Sequence, residues 1–257
     1  MEVCRVSGGQ PMHMQRAEMV LRDARHHLDL WLEVADARAP VASRLPRLRH
    51  LLASVEGALV LTHQDQADRQ AMQAWQAVLP EPCFFVNARQ AVPAALRRWL
   101  SERMGRPPLR IFVAGLPNVG KSTLINRLAG ARVAPVGARA GVTRAETWVR
   151  RGDLAILDLP GILPRRPGLI AAALGLVPEG QYDPQEAALA VLGRLPAAAD
   201  RYGIDVDRDA TLEAVAESQH LYGKGGALDV QRAAAKVLQD LRSGRILPAQ
   251  LEWPDAE

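Results

Sequence analysis

The residues best suited to chemistry sit near the middle of the chain. Gly115-Leu116-Pro117-Asn118-Val119-Gly120-Lys121-Ser122 has the spacing Gly-x-x-x-x-Gly-Lys-Ser, in which loop N–H groups and a helix N-terminus surround phosphate oxygens. That chemistry needs a strand before the loop and a helix after it. Residues 109–114 are apolar and β-rich, and Leu124, Ile125 and Leu128 give residues 121–129 one apolar helical face. The backbone of Asn118, Val119 and Gly120, with Lys121, Ser122 and Thr123, is therefore expected to hold the phosphates of a nucleoside triphosphate. Lys121 reaches the β- and γ-phosphates, and Ser122 offers its hydroxyl to Mg2+.

Two further segments fit this chemistry. Asp158-Leu159-Pro160-Gly161 ends a second strand about 40 residues after the loop. A carboxylate there is placed to hold Mg2+ through water, and the Gly161 N–H to sense the γ-phosphate. Taken alone, the segment also reads as an ordinary Pro-Gly turn after a strand. Between the two lies Gly141-Val142-Thr143, whose threonine is a candidate to complete the Mg2+ shell from a loop ordered by the γ-phosphate.

Those residues need a scaffold. Short apolar runs predict strands over 28–35, 58–61, 83–86, 109–114, 146–150 and 154–157. Helical patterns lie between most of them, over 16–27, 46–53, 69–78, 92–100 and 121–129. The alternation predicts an α/β sheet with helices on both faces. Arg151-Gly152-Asp153 reads as the turn of a hairpin. Around and after Gly161 the prolines at 160, 164, 167 and 178 break the pattern. From Pro184 only helical periodicity is present, over 184–195, 210–220 and 229–243. The expected organisation is a nucleotide-binding domain over 1–178 and a small all-helical C-terminal domain over 179–257. Residues 101–108 are expected to be a surface linker inside the first domain.

Bulk properties agree with a globular protein. Of 257 residues, 48% are hydrophobic and 23% charged, and the formal net charge is +4. A mild, arginine-borne excess suits phosphate or RNA contact but also suits a merely soluble surface. The apolar stretch around 168–177 is about half the length a spanning helix needs, so no membrane partner is expected. Cys4 and Cys83 lack metal-ligand spacing and the first residues hold no apolar run, so the protein is expected to be cytoplasmic. The five tryptophans are dispersed and form no stacking array in sequence.

One feature of the order is unusual. Strands that build a base pocket normally follow the Asp-x-x-Gly segment, yet here only helices follow it. The missing strands must precede the loop. Residues 58–61 run into Thr62-His63-Gln64-Asp65, and 83–86 into Asn87-Ala88; these loosely match the Asn-Lys-x-Asp and Ser-Ala base-recognition elements of GTPases, in circularly permuted order. With Asp36-Ala37-Arg38-Ala39-Pro40, Gly141-Val142-Thr143, Asp158-Leu159-Pro160-Gly161-Ile162 and the ending from Leu221 to Ile246, the chain resembles the circularly permuted GTPases of the ribosome biogenesis GTPase A (YlqF-like) family from about Pro11 onward.

The resemblance implies a permuted P-loop GTPase that binds GTP and GDP with Mg2+. It implies a slow switch in late assembly of the large ribosomal subunit, contacting the subunit precursor and its rRNA as a monomer. It places Asp65, Asn87 and Ala88 at the base, and Ser122, Thr143 and Asp158 at Mg2+. Asn118 resembles the asparagine that helps hold K+ in potassium-stimulated GTPases. His13, in Pro11-Met12-His13-Met14, resembles the histidine of the family's Pro-Gly-His-Met start, a candidate to position water because Ile162 stands where Ras-like enzymes carry glutamine. Lys121, Thr143 and Gly161 complete the expected catalytic set. Arg232, Lys236, Arg242 and Arg245 are candidates for RNA phosphates, or simply a solvated helix face. The sequence departs from the family at Thr62 and His63, where Asn and Lys are expected. Asp65 alone retains the guanine contact, so binding about 10–100-fold weaker is expected. The alternative function is a nucleotide-gated or nucleotide-independent rRNA-binding assembly factor with little hydrolysis. Asp36 and Arg38 read as a capping ion pair at the sheet edge, or as a loop near the nucleotide.

Overall fold

The computed structural model describes residues 21–22, 25–87, 89–130, 147–158, 168–205 and 211–254. Its centre is a six-stranded sheet of β1 (Leu30–Asp36), β2 (Glu56–Thr62), β3 (Cys83–Phe85), β4 (Leu109–Gly115), β5 (Thr147–Arg151) and β6 (Leu154–Asp158). The spatial order is β3-β2-β1-β4-β6-β5. All neighbours are parallel except the β5–β6 pair. Every residue of β1 is buried, as is nearly all of β4, so the middle of the sheet is covered on both faces. The β5–β6 hairpin expected from the sequence is present: Arg151 pairs with Leu154, and Gly152 takes the positive φ of 53° that a two-residue loop needs.

The helices are α1 (Leu48–Leu51), α2 (Arg69–Val78), α3 (Ala94–Glu102), α4 (Lys121–Ala129), α5 (Leu169–Ala173), α6 (Pro184–Leu192), α7 (Pro196–Tyr202), α8 (Leu212–Ser218) and α9 (Val230–Arg242). Their starts follow from local chemistry. Asp68, Asp183, Thr211 and Asp229 each accept a bond from the first-turn N–H groups of α2, α6, α8 and α9, satisfying donors that a helix end leaves orphaned. The run expected as one helix over 184–195 is two. Gly193 closes α6, and Pro196 takes the first turn of α7, where its missing N–H costs nothing. α5 was not expected as a helix. It is apolar throughout, with Ile170 to Ala173 buried, and so shows no amphipathic period. The expected helix over 46–53 reduces to the single turn of α1. That over 16–27 falls mostly outside the described residues.

α9 packs against α6 and α8, and α5 against α6. Buried apolar side chains run without interruption from Ile111, Phe112 and Ile156 in the sheet to Val191, Val237 and Leu241 in the helices. No helix among the described residues is long and apolar enough to cross a membrane. On the sheet, the Trp31 indole of β1 lies across Gly57 of β2. A Cβ at Gly57 would sit 2.0 Å from a Trp31 ring atom, and Trp31 is further pinned by its Nε1–H donating to Val55 O at 2.9 Å. Gly57→Ala should therefore displace a buried ring and destabilise the fold by about 1–3 kcal/mol. Thermal unfolding of the variant checks this, and an unchanged midpoint would refute the packing argument.

Candidate functional site

The glycine motif forms the loop its spacing requires. β4 ends at Gly115, where a Cβ would lie 2.3 Å from Val34 O, so only glycine lets β4 approach β1 this closely. Asn118 and Gly120 adopt φ of 58° and 105°. These left-handed residues turn the chain sharply into α4, whose N-terminus opens on the loop. Lys121 folds back along the loop, its Nζ donating to Leu116 O at 2.8 Å. Ser122 and Thr123 follow in the first turn, half-buried. Val119 is fully buried and anchors the loop in the core.

The base-side segment is joined to this loop directly. Thr62 ends β2, is buried, and has its Oγ1 2.7 Å from Val119 O and 3.0 Å from Ala35 O. Thr62 thus serves as a tie between β1, β2 and the phosphate loop rather than as an open contact surface. His63 has φ of 56°, and its Nδ1 lies 2.9 Å from Asp36 Oδ2. Gln64, with its amide oriented to serve both partners, donates to Phe85 O and accepts from Asn87 N, each at 3.2 Å. Asn87 is buried, its Oδ1 accepting from Arg89 N at 2.8 Å. Asp65 is exposed and hydrogen-bonds to no described residue.

Asp36 and Arg38 form a buried cluster that the sequence reading understated. Arg38 donates from Nε and one terminal nitrogen to the two Asp36 oxygens at 2.9 and 2.7 Å. Its other terminal nitrogen reaches Gln66 Oε1 at 2.8 Å and Leu241 O of α9 at 3.4 Å. The side chains of Asp36 and Arg38 are 0% and 3% exposed. Burial opposes ionisation of Asp36, but the Arg38 guanidinium and the bonds from Arg38 and His63 outweigh it and hold the carboxyl well below the usual range. The pair is therefore a link between the base-side loop and the helical part of the chain, not only a sheet-edge cap.

A parallel link runs from the phosphate loop. Asn118 Nδ2 donates to Gly175 O at 2.9 Å. Arg242 of α9 packs at Gly175 and donates to Ala173 O at 2.9 Å, and to Ala172 O and Tyr182 Oη at 2.8 and 2.9 Å. Arg242, a candidate for RNA contact in the sequence, is turned inward instead, capping the carbonyl end of α5. Lys236 and Arg245 both lean on the buried Asp240, at 3.4 and 2.8 Å, as does Arg201 at 3.0 Å. Arg232 is exposed.

The backbone of Asp158 ends β6 in register with Val113, at the sheet edge where the loop begins. His13, Ala88, Thr143 and Gly161 lie outside the described residues, as does Ile162. Cys83 is a half-buried thiol pushed up to about 12 by burial and the neighbouring Glu81, so it is no nucleophile.

The family model for 50S ribosome-binding GTPase matches residues 110–194. Ribosome biogenesis GTPase A of Bacillus licheniformis is 29% identical, over 95% of this chain and 97% of its own length. The protein of that name from Thermotoga maritima is 28% identical over 95% and 94%. A solved structure, GNP-bound YlqF from T. maritima, superposes with a TM-score of 0.69 at 23% identity, covering 94% of this chain and all of that one. The family resemblance and the permuted α/β fold read from the sequence are borne out.

Asp36 makes stability depend on pH. Its carboxyl is depressed in the folded state, so its contribution is present at neutral pH and is lost as pH falls below the unfolded value of about 3.9. Asp36→Asn leaves Arg38 buried without its counter-charge, and should cost about 3–5 kcal/mol at pH 7. Urea unfolding from pH 7 down to pH 3 should show a shallower loss of stability in the variant than in the parent. Parallel curves would refute the assignment.

Proposed function

We propose, on the premise that this chain is a relative of ribosome biogenesis GTPase A, that it is a GTP-binding protein and a slow GTPase switch assisting late assembly of the large ribosomal subunit. The observation that carries this reading is the Thr62–Val119 bond. It ties the end of β2 to the phosphate loop, and the exposed Asp65 follows three residues beyond Thr62, which supports a base contact there. Asp65 accepts from guanine N1–H and N2–H2, a pair of donors adenine lacks. Asn87 and Ala88 lie beside the base. Asn118, Val119, Gly120, Lys121, Ser122 and Thr123 bind the phosphates, with Gly161 at the γ-phosphate.

Ser122 and Thr143, with Asp158 through water, would hold Mg2+, oxygen donors that suit a hard cation. The ion would supply charge neutralisation at the phosphates. Asn118 commits its Nδ2 to Gly175, which leaves Oδ1 as the atom that would hold K+. His13 positions the attacking water in place of a glutamine. GTP orders the loop at Gly141–Val142–Thr143, and hydrolysis releases it. The domain over 179–257 contacts rRNA of the subunit precursor through Arg232, Lys236 and Arg245, the protein acting as a cytoplasmic monomer. His63 and Thr62 in place of Lys and Asn favour a second reading, a nucleotide-gated rRNA-binding factor with little hydrolysis.

Titration of fluorescent GDP and ADP separates these readings. GDP should bind more tightly than ADP to the parent, and Asp65→Ala should lose about 10–100-fold in GDP affinity while ADP binding stays unchanged. Tighter ADP binding would remove the guanine reading. Lys121→Ala should lose both nucleotides. Phosphate release measured with large-subunit precursor particles, K+ and Mg2+ should exceed that of the Lys121→Ala variant. Equal release from both would leave the second reading standing.

A further inference from the structure

The sheet carries a second concavity at its opposite end. β1 and β4 finish at the phosphate loop and begin beside a cavity of about 490 Å3, one strand length of about 20 Å away. Its floor is a row across three strands, where Arg150 of β5 pairs with Ala155 of β6, and Ala155 with Arg110 of β4. Paired residues share a face, and strands lie about 4.8 Å apart, so two arginine stems rise about 10 Å apart over a methyl group. Trp148, two residues before Arg150 on the edge strand, shares that face and is 39% exposed. Pro107 and Pro108 form an apolar wall, and Arg106 stands exposed beside them.

Charge decides what such a slot accepts. Asp29 is the carboxylate lining it, and both its oxygens are committed to Arg110, at 2.7 Å to the backbone N–H and 2.9 Å to the guanidinium. Its carboxyl is held below the usual range chiefly by that bond. Arg106 and Arg150 pair with no carboxylate among the described residues. An exposed indole beside two guanidiniums that no described carboxylate pairs suits a ligand that is flat, apolar on its faces and anionic at its edges. An acidic peptide would satisfy the arginines and leave the indole unmatched. A nucleotide satisfies both, through stacking and phosphate contact.

We propose that this slot binds an unpaired nucleotide of single-stranded RNA, with the base on Trp148 and the flanking phosphates on Arg106 and Arg150. The choice of RNA rests on the ribosomal partner argued above; the slot itself is separate from the phosphate loop. Such a contact would give the sheet domain its own hold on RNA, independent of the helical one.

The test is fluorescence anisotropy of a labelled single-stranded RNA decamer with full-length protein, titrated at several salt concentrations. Trp148→Ala should weaken binding about ten-fold. Arg106→Gln and Arg150→Gln should weaken it and each flatten the salt dependence by about 0.7 in slope. GDP affinity, a readout of the distant phosphate loop, should be unchanged in all three. Parent-like RNA binding by the variants would overturn the proposal, as would failure of the parent to bind the decamer while it still binds GDP. GMP should compete weakly against the decamer. Competition by GMP as effective as unlabelled decamer would identify a free-nucleotide site and overturn the RNA occupant. Loss of precursor-particle association with decamer binding intact would point to a protein occupant and overturn it equally. If the parent binds neither GDP nor GTP, the proposed function fails while the RNA titration still judges the slot.

Discussion

The Asp36 carboxylate has no contact with solvent, and a charge so placed persists only if every oxygen is answered. Here Arg38 answers both oxygens in a fork, its own N–H adds a third bond at 3.0 Å, and His63 approaches from the base-side loop. The geometry of the pair then propagates. Arg38 has one terminal nitrogen left, and it is shared between Gln66 and Leu241. Gln66 follows Asp65 in sequence, and Leu241 sits in the last turn of α9. One buried ion pair thus fixes the end of β1, the loop beyond β2, and the attachment of a helix two hundred residues away. Moving any one of them exposes or strands a charge, which is why the cluster behaves as a unit.

The last turn of α9 holds the other end as well. Arg242, next to Leu241, packs against Gly175, whose carbonyl accepts from Asn118 of the phosphate loop. Adjacent residues of one helix therefore touch the base-side loop and the phosphate-side loop by separate routes. The carboxy-terminal segment reinforces the first of these, with Ala249 N donating to Gln66 O and Leu251 N to Arg38 O, at 2.9 and 2.8 Å. The Glu252 carboxylate accepts from Val41 and Ala42 N–H. A displacement of α9 must carry both loops with it or break polar contacts that are partly or wholly withdrawn from water, where replacement partners are scarce. Helical and sheet parts are mechanically one object at the nucleotide end.

What was legible in the sequence is what is local. The bounds of α2 and α4 were readable because a cap, an amphipathic period and a glycine turn fall within a few residues of one another. The phosphate loop was readable because its chemistry is contiguous. The permuted order was readable because strands of a parallel sheet are short apolar runs whatever their sequence order. By contrast, α5 is uniformly apolar and gave no period, and the Arg38–Leu241 bond joins residues far apart in sequence, for which one sequence holds no signal. Arg242 looked like a surface cation because its i, i+3 neighbours Gln239 and Arg245 are polar; its inward turn depends on carbonyls that α5 alone provides. The Trp148 slot was missed because Arg106, Trp148 and Arg150 meet only through the pairing of β4, β6 and β5, which one sequence does not give.

The permutation leaves the physics of the site intact. From β1 the chain steps outward through β2 to β3, then crosses back to place β4 on the other side of β1. Neighbouring crossovers on either side of that boundary run in opposite directions, so the carboxyl ends of β1 and β4 open a crevice between them. A phosphate loop after β4 and a base-side loop after β2 both overhang that crevice, in whichever order the chain visits them. What the permutation changes is the connection. The base-side strands come first and the helical part comes last, so α9 can reach back across the crevice rim to Arg38 and Gly175 without a loop threading the sheet. The permuted covalent order thus leaves in place the adjacency of β1 and β4 and the Thr62–Val119 bond beside them.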